Sequence, residues 1–213
     1  MSRIKSFLLA VMLVCGSLTY AQNENEGNGW TQTTYTFEDG RLDWNEYAEK
    51  NKSALIKGNY MLLTCRKENE SALSVARLPI SPRDNFALAY SMLVPKLDNA
   101  HLFGVIFNYQ DEDNYNGVFF DNKKFYYISR ENGATYTEKK GDVKFKSKKN
   151  VPVIVVLAHI GNKLYVNLNN MDIYERTDVK LRHPFCGFYT SGKSSLAAGD
   201  IVVKQELQKE DDE

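Results

Sequence analysis

The chain has 213 residues, of which 43% are hydrophobic and 25% charged. This composition is typical of a globular protein with a sizeable core, and it excludes a collagen, a disordered tail and a multi-pass membrane protein. The 27 Lys and Arg residues balance the 27 Asp and Glu residues, so the basic surplus of a nucleic-acid-binding protein is missing and no nucleic-acid partner is expected.

The first 21 residues predict an export signal. A basic start is followed by a short apolar run, Phe7 to Val14, and by small residues that fit cleavage after Ala21. The run is less than half of the roughly 20 residues that a membrane-spanning helix needs. We therefore expect a mature chain without a transmembrane segment in the periplasm, at the cell surface or outside the cell. A lipoprotein signal ending at Cys15 is disfavoured because bulky Val14 precedes it.

Residues 31–205 are predicted to form one domain, between a polar lead-in at 22–30 and an acidic tail at 206–213. Large and small side chains alternate from Phe86 to Val94, which is the periodicity of a β-strand. Further apolar runs are predicted as strands at Tyr60–Cys65, Leu102–Phe107, Val118–Phe120, Phe125–Ile128, Val153–Ala158, Leu164–Leu168 and Ile201–Val203.

Turn residues separate these strands at Gly58-Asn59, Asn132-Gly133, Gly161-Asn162 and Asn169-Asn170. Such pairs supply the positive φ that tight hairpins require. Residues 45–57 have a loosely helical spacing, but Gly58-Asn59 would join their end to the next strand as a hairpin, so we interpret them as extended. Many short strands without helical crossovers predict an all-β fold, a two-sheet antiparallel β-sandwich or jelly roll.

The cysteines and histidines give few constraints. Cleavage of the signal would leave Cys65 and Cys186 in a compartment where disulfides form. Two interpretations remain open, a disulfide between them or two buried free thiols. His101, His159 and His183 lie far apart and no CxxC spacing occurs, so no zinc site is expected.

Several motifs follow one another along the chain: Phe37-Glu38-Asp39-Gly40 before Trp44, a hairpin within Phe103–Phe120, a second hairpin within Gly161–Asn170, and closing segments at Gly187–Tyr189 and Gly199–Val203. In this order they resemble the concanavalin A-like lectin and glucanase superfamily, in particular its laminin G-like bacterial branch, with a distant similarity to three-keto-disaccharide hydrolase-like domains. The resemblance spans nearly the whole predicted domain and implies a concanavalin A-like jelly roll.

The resemblance also implies where a ligand would bind. Jelly rolls of this group hold sugars on the concave sheet or its rim, with aromatic rings against the sugar and polar side chains on its hydroxyls. The candidates here are Trp44, Tyr109, Tyr115, Tyr126 and Arg130. No cofactor is expected to be required, but the resemblance implies an optional structural calcium ion held by Glu38 and Asp200.

No catalytic pattern is evident in the sequence. Retaining glycosidases of the superfamily carry Glu-x-Asp-x-x-Glu on one strand, which is absent, as is a G-x-S-x-G turn. Asp111-Glu112-Asp113 is interpreted as a solvated turn, with calcium coordination as the alternative. The sequence therefore predicts noncatalytic binding of a carbohydrate or other cell-surface polymer. A glycoside-cleaving enzyme of the same fold and a structural or adhesion module remain the alternatives.

Overall fold

The structure is a computed structural model, which describes residues 24–26, 29–95, 100–143 and 151–206. The predicted export signal and residues 207–213 of the predicted acidic tail lie outside these ranges. Within them all regular elements are strands, and no helix in these ranges is long and apolar enough to cross a membrane.

The strands form two antiparallel sheets. The larger, ten-stranded sheet has the spatial order β14 (Met171–Thr177), β13 (Lys163–Leu168), β12 (Val151–Ile160), β7 (Phe86–Val94), β16 (Ser194–Glu206), β5 (Tyr60–Cys65), β4 (Lys52–Lys57) and β3 (Tyr47–Ala48), with β2 (Trp30–Tyr35) also on β16 and β1 (Glu24–Glu26) on β2. The six-stranded sheet has the order β11 (Ala134–Asp142), β10 (Lys124–Glu131), β9 (Asn114–Phe120), β8 (Phe103–Asp111), β15 (Phe185–Ser191) and β6 (Ser71–Arg77).

The alternation read from the sequence of β7 places one of its faces in the core. Its large residues belong to the main hydrophobic cluster, whereas Ala87 and Ala89 belong to a separate cluster on the opposite face. Tyr90 of β7 meets Phe188 of β15 edge to face, with ring centroids 5.7 Å apart, so the two sheets pack face to face. The predicted all-β jelly-roll sandwich is confirmed.

The predicted hairpins are also confirmed. Gly58 has a φ of 57° and connects β4 to β5, and Asn132 with Gly133, at 50° and 80°, connects β10 to β11. Residues 45–57 contain β3 and β4 and no helix. The predicted polar lead-in differs, because Glu24–Glu26 pairs with residues 30–32 of β2 and extends the sheet beyond position 31.

Strand β16 joins most of the larger sheet. It pairs with β7 along one edge; along the other edge residues 194–198 pair with β5 and residues 201–206 with β2. A bulge between Ala198 and Ile201 separates the two halves. One strand near the end of the described chain therefore holds three others together.

Of the two interpretations left open for the cysteines, the structure has the second, with Cys65 and Cys186 as buried free thiols. Cys65 pairs in register with Ser194, just after the turn that ends β15 at Ser191, whereas Cys186 is the second residue of that strand. Five residues along a strand span roughly 16 Å, well beyond the roughly 7 Å between Cα atoms that a disulfide permits.

Candidate functional site

The outer face of the six-stranded sheet carries a hydrophobic layer of its own. Phe119 lies over two glycines, because a Cβ atom at Gly104 would stand 2.8 Å from the Phe119 Cδ1 atom and one at Gly117 2.6 Å from its Cζ atom. Tyr189 packs beside Phe119, with ring centroids 4.4 Å apart. The two glycines therefore let an aromatic ring lie close to the strands as the floor of this face.

Four tyrosines and one arginine surround that floor, and we call this set the tyrosine face: Tyr109, Tyr115, Tyr126, Tyr189 and Arg130. Tyr109 and Tyr115 stack with ring centroids 6.3 Å apart. Tyr115 is only 9% exposed, and burial, with a contribution from Tyr189, raises its pKa to about 12. Tyr115 thus supports the face from below, while the half-buried Tyr109, Tyr126 and Tyr189 offer their rings to solvent.

Arg130 is held at one end of the tyrosine face, opposite Tyr115 in the strand register. Its Nη2 atom donates to Asp113 Oδ1 at 3.2 Å and its Nη1 atom to the Thr135 hydroxyl at 3.3 Å. Its Nε atom is buried and has no hydrogen-bond partner in the described ranges. The guanidinium is therefore fixed in place without all of its donors being used.

Tyr126 is fixed at the other end. Its hydroxyl donates to Asp121 Oδ2 at 3.2 Å, and the same carboxylate accepts the backbone N–H groups of Lys123 and Lys124 at 2.6 and 2.7 Å. Burial and the charge of Asp121 raise the pKa of Tyr126. Lys140, its cross-strand neighbour, places its Nζ atom 5.3 Å from the ring centroid. A ring, a carboxylate and an ammonium group therefore meet at this end.

The structure brings together four of the five residues predicted to bind a ligand, namely Tyr109, Tyr115, Tyr126 and Arg130. Trp44 requires a correction, because it is a core residue that is 9% exposed. Its ring centroid lies 5.0 Å from that of Phe37 and 5.8 Å from that of Phe188, so its ring is unavailable to a ligand.

Sequence reasoning did not propose Tyr189 as a site residue. The alternation of β15 contains the signal, since Phe188 faces the core and its neighbour Tyr189 must face outward. The strand register was also needed, because it sets Tyr189 opposite Gly104 and so beside Phe119.

The acidic residues 111–113 form the turn between β8 and β9. Asp111 Oδ1 accepts the backbone N–H of Asp113 and the side-chain amide of Asn114, both at 2.9 Å, and Asp113 accepts Arg130. These carboxylates therefore hold the turn and position the arginine. In the described part of the chain, no three His, Cys, Asp or Glu side chains are grouped so that they could hold a metal ion.

Glu38 and Asp200, the two residues predicted as calcium ligands, are far apart in sequence but close enough in the structure for their charges to interact. Burial, and then the charges of Asp39 and Glu38, raise the pKa of Asp200. Burial raises the pKa of Asp39 as well, but hydrogen bonds from Arg41 and Thr36 outweigh it and lower this pKa overall. Arg41 therefore compensates one of the three negative charges, and two remain close together.

No family model and no curated protein matches the chain, whereas solved structures do. The carbohydrate binding module CBM66 from Bacillus subtilis is 10% identical with a TM-score of 0.53, covering 84% of this chain and 96% of that one. The legume lectin-like domain from Entamoeba histolytica is 14% identical with a TM-score of 0.53, covering 78% and 90%.

A third neighbour is the exoplasmic/lumenal domain of VIP36 in its Ca2+/Man3GlcNAc-bound form, 10% identical with a TM-score of 0.54, covering 81% of this chain and 89% of that one. At such identities the likeness concerns the fold alone. The chain has the concanavalin A-like jelly-roll fold that the sequence motifs implied.

Proposed function

We propose that this protein is an exported, noncatalytic carbohydrate-binding domain and that the tyrosine face is its binding surface. The observation that carries the proposal is the group of half-buried rings, Tyr109, Tyr126 and Tyr189, supported from below by Tyr115 and Phe119. Neighbours of the same fold include a carbohydrate binding module and a domain bound to Man3GlcNAc, which supports the same ligand class.

The chemistry of this face suits a saccharide. Aromatic rings stack against the apolar C–H face of a pyranose, and the rings here are fixed by stacking and by the Asp121 hydrogen bond, so little side-chain entropy is lost on binding. Arg130 can donate to a sugar hydroxyl, and Asp113 and Asp121 can accept from one. A shallow face that orders a flexible sugar binds weakly, on the order of micromolar to millimolar.

A glycan-array screen of the purified protein, followed by titration calorimetry on the best ligand, tests the proposal. Tyr109→Ala and Tyr126→Ala should each weaken binding by about 1 to 3 kcal/mol with the fold intact. Tyr136→Ala is the matched control, because Tyr136 is 55% exposed and lies in β11 opposite Ser129, whereas the rings of the tyrosine face follow the other alternation. Equal binding by all three variants would remove the tyrosine face from the proposal.

The enzyme alternative is tested with the same ligands. In the noncatalytic proposal Asp111 and Asp113 hold a turn and an arginine. If the protein releases reducing sugar or aglycone, and Asp111→Asn or Asp113→Asn abolishes that release, the enzyme alternative would replace the noncatalytic proposal. If the protein binds no glycan on the array but associates with another protein, the adhesion alternative would be favoured.

Calcium near Glu38 and Asp200 is a further part of the proposal. Ca2+ prefers carboxylate and carbonyl oxygens, and a cation beside Glu38 and Asp200 would offset the repulsion between these two carboxylates. Glu38 and Asp200 would hold the ion, which would supply charge neutralisation and no catalytic step. A higher melting temperature on adding Ca2+, reversed by a chelator and absent in Asp200→Asn, is expected, because an ion that binds only the folded state stabilises it.

Export rests on the residues before position 22 and is tested directly. Mass spectrometry of protein recovered from outside the cytoplasm should give an N-terminus at Gln22. A chain that begins at a lipidated Cys15 would replace this proposal with membrane anchoring, and an intact Met1 would contradict processing.

A further inference from the structure

An open cleft of about 490 Å3 lies at the end of the larger sheet where β5 ends and β16 begins. Among the described residues it is lined by Thr64, Cys65, Arg66, Pro95, His101, Lys193, Ser194 and Ser195, and we call it the β5–β16 cleft. None of the residues of the tyrosine face lines it. The cleft is therefore a separate place on the molecule that the proposed function does not use.

The lining is rich in hydrogen-bond donors. Arg66 and Lys193 are cationic, Thr64 and Ser195 are cross-strand partners that both carry hydroxyl groups, and none of the described lining residues is Asp or Glu. In the described ranges the Arg66 side chain and the Thr64 and Ser195 hydroxyls take part in no hydrogen bond or ion pair. These donors are available to an anionic group.

Glu68 is a competing carboxylate beside the cleft and is not one of its lining residues. Its Oε2 atom lies 3.3 Å from His101 Nε2 and its Oε1 atom 4.0 Å from Lys193 Nζ. The Lys193 contact is at the limit of an ion pair and both side chains are largely exposed, so it contributes little. Glu68 therefore positions the imidazole without neutralising Arg66.

The backbone around the cleft is firmly held. The Arg66 N–H donates to the Asn51 carbonyl at 2.7 Å, the Gly192 N–H to the Glu70 carbonyl at 2.9 Å, and the Ser194 N–H to the Gly192 carbonyl at 2.8 Å. Gly192 is required here, because its φ is 70° and a Cβ atom would stand 2.2 Å from His101 Cδ2. The glycine lets the imidazole lie against the turn, so these backbone positions are organised before any ligand arrives.

We infer that the β5–β16 cleft binds the anionic group of an acidic saccharide, a carboxylate or a sulfate ester. The two cations and two hydroxyls would contact the anionic oxygens, and the half-buried Pro95 would meet the sugar ring. The saccharide part of this inference rests on the proposed function, whereas the preference for an anion rests on the cleft alone.

The test uses two-dimensional NMR of the whole protein with four probes: glucuronate, galactose 6-sulfate, inorganic sulfate and galactose. The two acidic sugars should shift the amide signals of Thr64, Arg66 and Ser195 and bind about tenfold or more tightly than galactose, with affinity falling as NaCl is raised. The double variant Arg66→Gln with Lys193→Gln should lose this preference and keep its melting temperature, because both side chains are exposed.

Lys57→Gln with Arg77→Gln is the matched control. It removes the same charge far from the cleft, because Lys57 ends β4 beside the start of β5 and Arg77 ends β6, and it should leave the preference unchanged. Retention of the preference by the cleft variant would overturn the inference. Inorganic sulfate binding as tightly as the acidic sugars would overturn its saccharide part. If the tyrosine face binds no neutral glycan but glucuronate still shifts Thr64 and Ser195, the proposed function fails while the anion site stands.

Discussion

Replacing Trp44 by Ala should unfold a large share of the molecules and not merely weaken ligand binding. The indole is 9% exposed and packs against Phe37 and Phe188 between the sheets. Burying roughly 200 Å2 of ring at about 25 cal/mol per Å2 corresponds to about 5 kcal/mol, and Trp→Ala changes in cores cost about 3 to 5 kcal/mol. A loss of this size is a large part of the free energy of unfolding of an ordinary domain.

Urea denaturation followed by intrinsic fluorescence and circular dichroism measures this loss. Tyr136→Ala serves as the control, because its ring is mostly exposed and its removal should change the free energy of unfolding by no more than about 0.5 kcal/mol. If Trp44→Ala were no more destabilising than Tyr136→Ala, the reasoning would be refuted, and Trp44 would return to the set of rings available to a ligand.

Three further predictions concern ionisation and the thiols. Iodoacetamide should leave Cys186 unmodified in the native protein near neutral pH, because burial raises the Cys186 pKa to about 12. After unfolding it should alkylate both cysteines. A disulfide in unreduced protein would contradict the structure. In calcium-free buffer, Asp200→Asn should stabilise the protein at neutral pH and have little effect well below pH 3.8, because the Asp200 pKa is raised when folded and the unfavourable charge forms only as the pH rises. An unchanged pH profile would contradict this. The free energy of unfolding should fall as the pH rises above 10.0, the ordinary pKa of tyrosine, because burial raises the pKa of Tyr90, Tyr115 and Tyr127. Urea midpoints that do not fall at alkaline pH would show that these hydroxyls ionise freely in the folded state.

Much of the fold could be predicted because the core strands carry their pattern in their own residues. The alternation from Phe86 to Val94 reproduces the bounds of β7, and Gly58-Asn59 locates the turn between β4 and β5. Strand β11 gave no such signal, because nearly all side chains from Ala134 to Asp142 are exposed. β11 is extended because it pairs with β10, and the local sequence pattern of β11 does not predict that pairing.

The candidate site could be predicted only in part, because the sequence does not tell a core aromatic from a surface one. Trp44 and Tyr109 were equivalent candidates, yet packing against Phe37 removes the first, while stacking on Tyr115 leaves the second half exposed. The β5–β16 cleft joins Arg66 to Lys193 across 127 positions of sequence. The pairing of β5 with β16, which sets Cys65 opposite Ser194 and Thr64 opposite Ser195, brings these residues together.

The position of β16 sets a limit on when this protein can fold during its synthesis. Residues 201–206 pair with residues 30–35, so the two ends of the domain must meet before the larger sheet is complete. Until then β2, β5 and β7 lack their shared neighbour, and contacts so distant in sequence are slow to form. Folding of the larger sheet therefore finishes only after residue 206 has left the ribosome, and loss of β16 would leave three open strand edges prone to aggregation.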